Sequence, residues 1–337
     1  MSELYIVTGA NGHVGNTMVR RLLRDGKKVR GLILPEDASH TLDGLPVELV
    51  RADLRDREAL RPLLAHSPDE TVYVIHTAGI VTIASKFRQE VYDVNVGGTE
   101  NLLGLCHEYG VKRLLYVSSV HAIPEKPAGE SMTEIDHFEQ ENAVGLYART
   151  KAAATQLVLD NNRDGLETVV VHPSGIVGPG DYGHGHLTQM VMDYMDHRLT
   201  ACVKGGYDFV DVRDVCEGIL AALEHGRPGE CYILSGSYCD IPQFLEILHE
   251  VSHRRPVKTV LPLWFAKLTA PLAELYYKLR HQPPLFTRYS LYTLRANAGF
   301  SHQKATRELG YKPRPLRDTL ADTVSWLVAH KRVKATA

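Results

Sequence analysis

One short turn near the start of the chain, Gly9-Ala10-Asn11-Gly12-His13-Val14-Gly15, restricts the fold more than any other stretch. It follows the apolar run Leu4-Tyr5-Ile6-Val7-Thr8, whose β-branched and aromatic side chains read as a buried strand. Met18, Val19, Leu22 and Leu23 then recur with helical spacing. Strand, glycine turn and helix in this order open a βαβ unit. The glycines have a physical purpose there. They let a diphosphate approach the unpaired N–H groups at the helix N-terminus, where the macrodipole also favours negative charge. A Cβ at those points would block the approach, or the packing of helix on strand. The spacing places two residues between each pair of glycines, whereas the common dinucleotide fingerprint is G-x-G-x-x-G.

A chain of 337 residues can bury a large core. Its formal net charge of -2 gives no electrostatic argument for a nucleic-acid or anionic-membrane partner. The cysteines, Cys106, Cys202, Cys216, Cys231 and Cys239, are odd in number and scattered, which argues for a reducing compartment and against a disulfide framework or zinc site. No apolar run is long enough to span a bilayer, and no basic region precedes the first strand. The expectation is a cytoplasmic protein with no resident metal.

Further strands are expected at Lys28–Leu34, Val47–Val50, Val72–Gly79, Arg113–Val117, Thr168–Pro173 and Cys231–Leu234, with helical stretches between them. This alternation predicts an α/β fold, a doubly wound parallel sheet of about seven strands. Gly9, Ala78 and Ser119 would then share one rim. The stretch Gly175–Gly185 reads as a loop, and Phe209–Glu224 as a helical segment. The expected division is a nucleotide domain over 1–172, with about 208–228 returning to it. A smaller, mainly helical substrate domain takes about 173–207 and 229–337. At the end of the second strand stand Leu34, Pro35, Glu36 and Asp37, with Arg30 inside it, so NAD and NADP both stay open. Asp53 could meet an adenine amino group or cap the helix expected from Asp56. The apolar stretch Val260–Leu279 reads as packed core helices.

Tyr147 and Lys151 lie four residues apart and share a helix face. Roughly one Tyr-x-x-x-Lys pair is expected by chance among sixteen tyrosines, and this is the only one present. A phenol ionises near pH 10 in water, and a neighbouring ammonium favours the phenolate. Such a pair suits proton exchange with a carbinol, while a serine hydroxyl on the rim, Ser119, could polarise a carbonyl. His184 and His186 have H-x-H spacing without a nearby carboxylate cluster, so a mobile loop is expected there rather than a metal. The basic tail Lys331–Lys334 reads as a frayed end.

With these motifs in hand, the chain resembles the extended short-chain dehydrogenase/reductase family. The resemblance rests on Thr8–Gly15, Asp53-Leu54, His76-Thr77-Ala78-Gly79, Asn95–Thr99, Ser118-Ser119, Tyr147 with Lys151, His172–Pro179, Phe209–Asp214 and Ala305–Tyr311. It implies a Rossmann fold that binds NAD or NADP. Gly9, Asn11, Gly12, His13, Val14 and Gly15 would hold the diphosphate; Asp53 and Leu54 the adenine; Ala78 and Gly79 the cleft wall. Pro173, Ser174 and Ile176 would run beside the nicotinamide, and Asn95 would anchor its helix. Ser119, Tyr147 and Lys151 would be catalytic, with Lys151 also binding the ribose. A homodimer through helices near 86–109 and 147–162 is implied as well.

Within that family, sugar dehydratases carry Thr-Asp-Glu where this chain has Ser119-Val120-His121. Arg280, Arg288 and Arg295 are the candidates for an epimerase anion clamp. The run after Pro173 and the aromatic stretch are more similar to dihydroflavonol reductases and 3β-hydroxysteroid dehydrogenase-like members. The expected reaction is hydride transfer on a carbonyl or secondary alcohol of a fairly apolar substrate. A nucleotide-sugar epimerase and a non-catalytic dinucleotide-binding regulator are the alternatives.

Overall fold

The computed structural model describes residues 2–82, 87–127, 129–262 and 292–333. Its first half alternates strand and helix: β1 (Ser2–Thr8), α1 (His13–Arg24), β2 (Lys28–Ile33), β3 (Glu48–Arg51), α2 (Arg57–Leu64) and β4 (Glu70–His76). Next come α3 (Gln89–Tyr92), a π-helical turn (Asp93–Gly97), α4 (Gly98–Glu108), β5 (Arg113–Val117), α5 (Leu146–Asp160) and β6 (Glu167–Pro173). The rest comprises β7 (Gly175–Val177), α6 (His186–Met195), β8 (Ala201–Val203), β9 (Gly206–Asp211) and α7 (Val212–His225). It closes with β10 (Glu230–Leu234), β11 (Ser237–Asp240), α8 (Ile241–Ser252), β12 (Thr259–Leu261), α9 (Gln303–Leu309) and α10 (Leu316–Ala329).

The central sheet has seven strands in the order β10-β6-β5-β4-β1-β2-β3, all parallel. One face is covered by α2, α4 and α5 through Leu60, Leu63, Leu102, Cys106, Ala152 and Val158. The other is covered by α1, α7 and α9 through Met18, Val19, Leu22, Ile219, Ala222 and Leu309. Both faces are therefore dry, which is why the strands read as near-continuous apolar runs. From β1 the chain winds outward through β2 and β3, then returns to β4 and winds the other way. The carboxyl ends of β1 and β4 are thus the switch point, where a crevice opens.

The structure corrects the reading after Pro173 in two places. Gly175–Val177 is a strand, and Phe209-Val210-Asp211 ends β9 rather than starting a helix. Together β11, β9 and β7 form a second, three-stranded sheet. Asp211 masks the boundary because it caps α7, accepting from Arg213 N at 2.7 Å, so one residue closes a strand and opens a helix. Under this sheet α6, α8 and α10 bury Tyr194, Phe244, Leu248, Leu320 and Leu327. The seventh strand of the main sheet, β10, and the helix α9 on its face both come from the C-terminal third.

The expected helix over 86–109 starts at Gln89 among the described residues and is interrupted by the π turn that contains Asn95. Most of the aromatic stretch, with Trp264, Phe265, Leu268, Leu272, Tyr276 and Tyr277, lies outside the described residues, as do Arg280 and Arg288. Arg295 is exposed. All five cysteines are buried and unpaired. No helix among the described residues is long and apolar enough to cross a membrane.

Candidate active site

The glycine turn forms one side of the crevice. Gly9 has φ +64°, a left-handed conformation, and a Cβ there would lie 2.9 Å from Ala78 Cα. A Cβ on Gly15 would lie 2.1 Å from the carbonyl oxygen of Gly9, so helix and turn touch backbone to backbone. Gly12 opens α1 without any side-chain cap, and no acid stands in the first turn. An uncapped helix N-terminus without a resident carboxylate fits the diphosphate of a dinucleotide. Asn11, His13 and Val14 are half-buried on this turn. The His13 Nε2 meets the Pro179 carbonyl at 3.1 Å and joins the turn to the segment after β7.

The floor of the crevice is a buried hydrogen-bond chain centred on His76. Thr99 Oγ1 donates to the Asn95 carbonyl at 2.7 Å, so toward His76 Nε2, 3.0 Å away, it can only accept. Nε2 therefore carries the proton. Nδ1 accepts from Thr8 Oγ1 at 2.7 Å, and Thr8 Oγ1 in turn accepts from Ala78 N at 3.2 Å. The ring is neutral: burial, aided by the Lys151 charge, pushes it down to about 3. Asn95 extends the chain, accepting from Ile80 N at 2.7 Å and donating to the Ile80 carbonyl and to Thr150 Oγ1. Thr150 donates to the Tyr147 carbonyl at 2.9 Å. The loop after β4 and the first turn of α5 are thereby held together.

Just beyond β3, Asp53 accepts from Arg55 N and pairs with the Arg55 guanidinium at 2.6 Å, which holds its carboxyl below the usual range. The cap of α2 is Asp56, accepting from Ala59 N at 3.1 Å. Leu54 is buried against Gly98. Leu34, at the end of β2, is half-exposed, and Asp37 is engaged by Ser39. Arg30 is buried and spends its guanidinium on the Leu63 and Ala65 carbonyls at the end of α2. Arg51, unremarked in the sequence, reaches back to the carbonyls of Pro35 and Asp37. These are structural roles, visible only once β2 and β3 are paired.

Tyr147 and Ser119 lie near each other at the tip of β5 and the start of α5, and Lys151, one turn further along α5, reaches the last residues of the strand. Ser119 Oγ accepts from His121 N at 3.2 Å and lies near enough to the Tyr147 phenol to favour its ionised form. Ser118 turns away and bonds Thr155 at 2.6 Å. Lys151 is buried, its Nζ donating to the Val117 carbonyl at 2.7 Å and to Tyr116 OH at 3.1 Å. Desolvation lowers this ammonium to about 7. The crowded surroundings of the half-buried Tyr147 push its phenol up to about 12, against the opposing effect of Ser119. Desolvation thus outweighs the acidifying effect expected of the lysine, and the phenol is protonated at neutral pH.

His172 on β6 donates from Nδ1 to the Ser119 carbonyl at 2.9 Å and stacks on Phe138. Pro173 ends β6, and Ser174 is buried beside Asp208, whose carboxyl burial raises to about 6. Ile176 is half-buried in β7. Bordered by His121 lies a pocket whose walls are Val120, Ile123, Met132, Ala143, Tyr207 and Phe300, with Glu125, Asn142 and Asn297 as polar members. The His121 ring is 6.3 Å from the Tyr147 ring and stacked on Tyr207. Among the described residues no three metal-ligating side chains converge.

The buried neutral histidines carry a pH prediction. His76 and His172 are fully buried and held down to about 3 and 4, against about 6.5 in an unfolded chain. The unfolded state therefore takes up protons first as pH falls. The stability they contribute is complete above about pH 6.5 and is lost progressively toward pH 4, on the order of 2 kcal/mol for each ring. Thermal unfolding followed by circular dichroism at pH 7.5 and 4.5 should show the lower midpoint in acid. Equal midpoints would mean that the rings are not held neutral.

Comparisons with known proteins place the chain in a family. Residues 5–235 match the NAD dependent epimerase/dehydratase family. The chain is 36% identical over 327 residues to the sterol demethylase protein B of Methylococcus capsulatus, covering 95% of this chain and 97% of that protein. It is 30% identical to the 4-hydroxy-2-methyl-3-oxo-4-farnesyl-3,4-dihydroquinoline-1-oxide ketoreductase of Stigmatella aurantiaca, covering 91% of each. Among solved structures it is similar to that of gox2253, with a TM-score of 0.84 and 31% identity over 98% of this chain and 99% of the other.

Proposed function

The chain belongs to the NAD dependent epimerase/dehydratase family, in the extended short-chain dehydrogenase/reductase branch, and from that premise we propose that it interconverts a carbonyl and a secondary alcohol on a small, largely apolar substrate. The observation that carries the reading is the Tyr147 phenol, kept protonated by burial beside Ser119 and next to His121, whose ring borders a pocket with aromatic and aliphatic walls.

A bound nicotinamide supplies or accepts the hydride. Gly9, Gly12 and Gly15 receive its diphosphate, Asp53 and Leu54 border the adenine, and Ala78 with Gly79 lines the cleft. In reduction, the Tyr147 hydroxyl gives its proton to the carbonyl oxygen as negative charge develops there. The Ser119 hydroxyl donates a second hydrogen bond to the same oxygen. The Lys151 ammonium favours the phenolate that remains. In the oxidative direction the Tyr147 phenolate takes the proton back. The walls offered by Val120, Ile123, Met132 and Phe300 suit an apolar body, and Glu125, Asn142 and Asn297 offer it polar contacts. The names of the two relatives point the same way, one to sterols and one to reduction of a farnesylated ring ketone. Pairing of two copies through α4 and α5, which lie on one face of the sheet, belongs to the same proposal.

The test is a titration with NADH and NADPH, followed by a screen of apolar ketones and nucleotide sugars that monitors absorbance of the reduced nicotinamide. The expected result is consumption of reduced cofactor with a polycyclic or prenylated ketone. Rapid conversion of a UDP-sugar without net change in the cofactor would replace this reading by epimerisation.

A further inference from the structure

We propose that Tyr116 is a positioning residue for Lys151: its hydroxyl fixes the ammonium so that one N–H is left to face the cofactor cleft. The inference rests on the role given to Lys151 under the proposed function. An ammonium has three donors. The Val117 carbonyl takes one at 2.7 Å and the Tyr116 hydroxyl another at 3.1 Å. The third has no acceptor among the described residues. On a further side stands Gly79, where a Cβ would lie 3.8 Å from Nζ, so this wall residue brings no side chain against the ammonium.

Tyr116 is well placed to hold a cation still. It is 1% exposed on β5, and its ring centroid lies 4.6 Å from Lys151 Nζ, so the ring and the hydroxyl act on the same charge. Its ring also packs on His76 at 5.3 Å, over the hydrogen-bond chain whose partners are all fixed. The order is thus His76, Tyr116, Lys151, from the floor toward the cleft. A neutral His76 is part of the device, since a charged ring beneath Tyr116 would repel the ammonium. Sequence inspection passes over Tyr116 because a tyrosine in an apolar strand reads as core.

Tyr116→Phe keeps the ring and removes the acceptor. The expected result is a fall in kcat of about tenfold, with KM for the ketone within about twofold, because a loosened ammonium affects the reacting geometry more than substrate binding. The pH profile provides a readout that packing alone does not move. Burial already lowers the ammonium to about 7, and losing an acceptor lowers it further. The alkaline limb of kcat should therefore move to lower pH. A variant with wild-type kcat and an unmoved limb overturns the proposal. Lys151→Met separates the two readings. If it is inactive while Tyr116→Phe behaves as wild type, only the role of Tyr116 fails. If Lys151→Met itself turns over normally, the proposed function fails with it. Should Tyr116→Phe not fold, fluorotyrosine at position 116 retains shape and hydroxyl while weakening the oxygen as acceptor. The limb should then move in the same direction by a smaller amount, and an unmoved limb overturns the proposal equally.

Discussion

Tyr147→Phe should bind reduced nicotinamide as tightly as the unaltered protein and turn over about a thousandfold more slowly. The magnitude is that of a lost general acid, which contributes roughly two to four powers of ten. The substitution removes one hydroxyl from a half-buried ring at the second position of α5 and leaves its packing against His121 in place. Folding should therefore be unaffected. Single-turnover loss of nicotinamide absorbance measures the chemical step, and quenching of cofactor fluorescence measures binding. A variant that turns over at the normal rate would exclude Tyr147 as proton donor. A variant that no longer binds cofactor would instead assign the tyrosine to the cofactor site.

The second large effect is expected at Gly15. A single methyl there would sit 2.1 Å from the Gly9 oxygen, 2.8 Å from its carbonyl carbon and 3.0 Å from Thr77 Oγ1. Two of those contacts are with main chain, so no rotamer change relieves them. Gly15→Ala must push α1 away from the turn. Overpacking in cores costs about 1–3 kcal/mol, and a backbone collision belongs at the top of that range or above. Cofactor affinity should fall at least about a hundredfold, since the turn's N–H groups no longer converge. Isothermal titration with NADH and NADPH, together with the melting temperature, decides the matter. An alanine variant with unchanged affinity and melting point would show that the turn is not the diphosphate site.

The parts of the molecule that were legible in the sequence share a physical cause. Strands β1, β4, β5 and β6 are buried on both faces, so they announce themselves as apolar runs, and the glycine turn is visible because only glycine satisfies it. What stayed hidden depends on partners distant in the chain. The strand character of β7 and β9 comes from pairing Gly175–Val177 with Phe209–Asp211, and neither segment is long or alternating enough to signal it alone. His76 looked like the end of a strand leading to small residues, yet it links Thr8 to Thr99. Arg30, inside β2, left the cofactor's 2′ group open and turns out to serve the end of α2. At the candidate site, Tyr147, Lys151 and Ser119 could be picked out by spacing and order. Tyr116 and His172, which hold two of them, could not, because their bonds to Lys151 on α5 and to the Ser119 carbonyl beyond β5 leave no mark in one strand's pattern.

The late arrival of β10 and α9 has a consequence for biogenesis. A nascent chain that has emerged only as far as α7 possesses six of the seven strands, with the outer edge of β6 open and Tyr232, Leu234, Ala305 and Leu309 not yet available to cover the wall they finish. Nearly the whole polypeptide must leave the ribosome before that wall is sealed. Shortening the protein from its C-terminal end would therefore strip the nucleotide-binding layer itself, not merely an appended module.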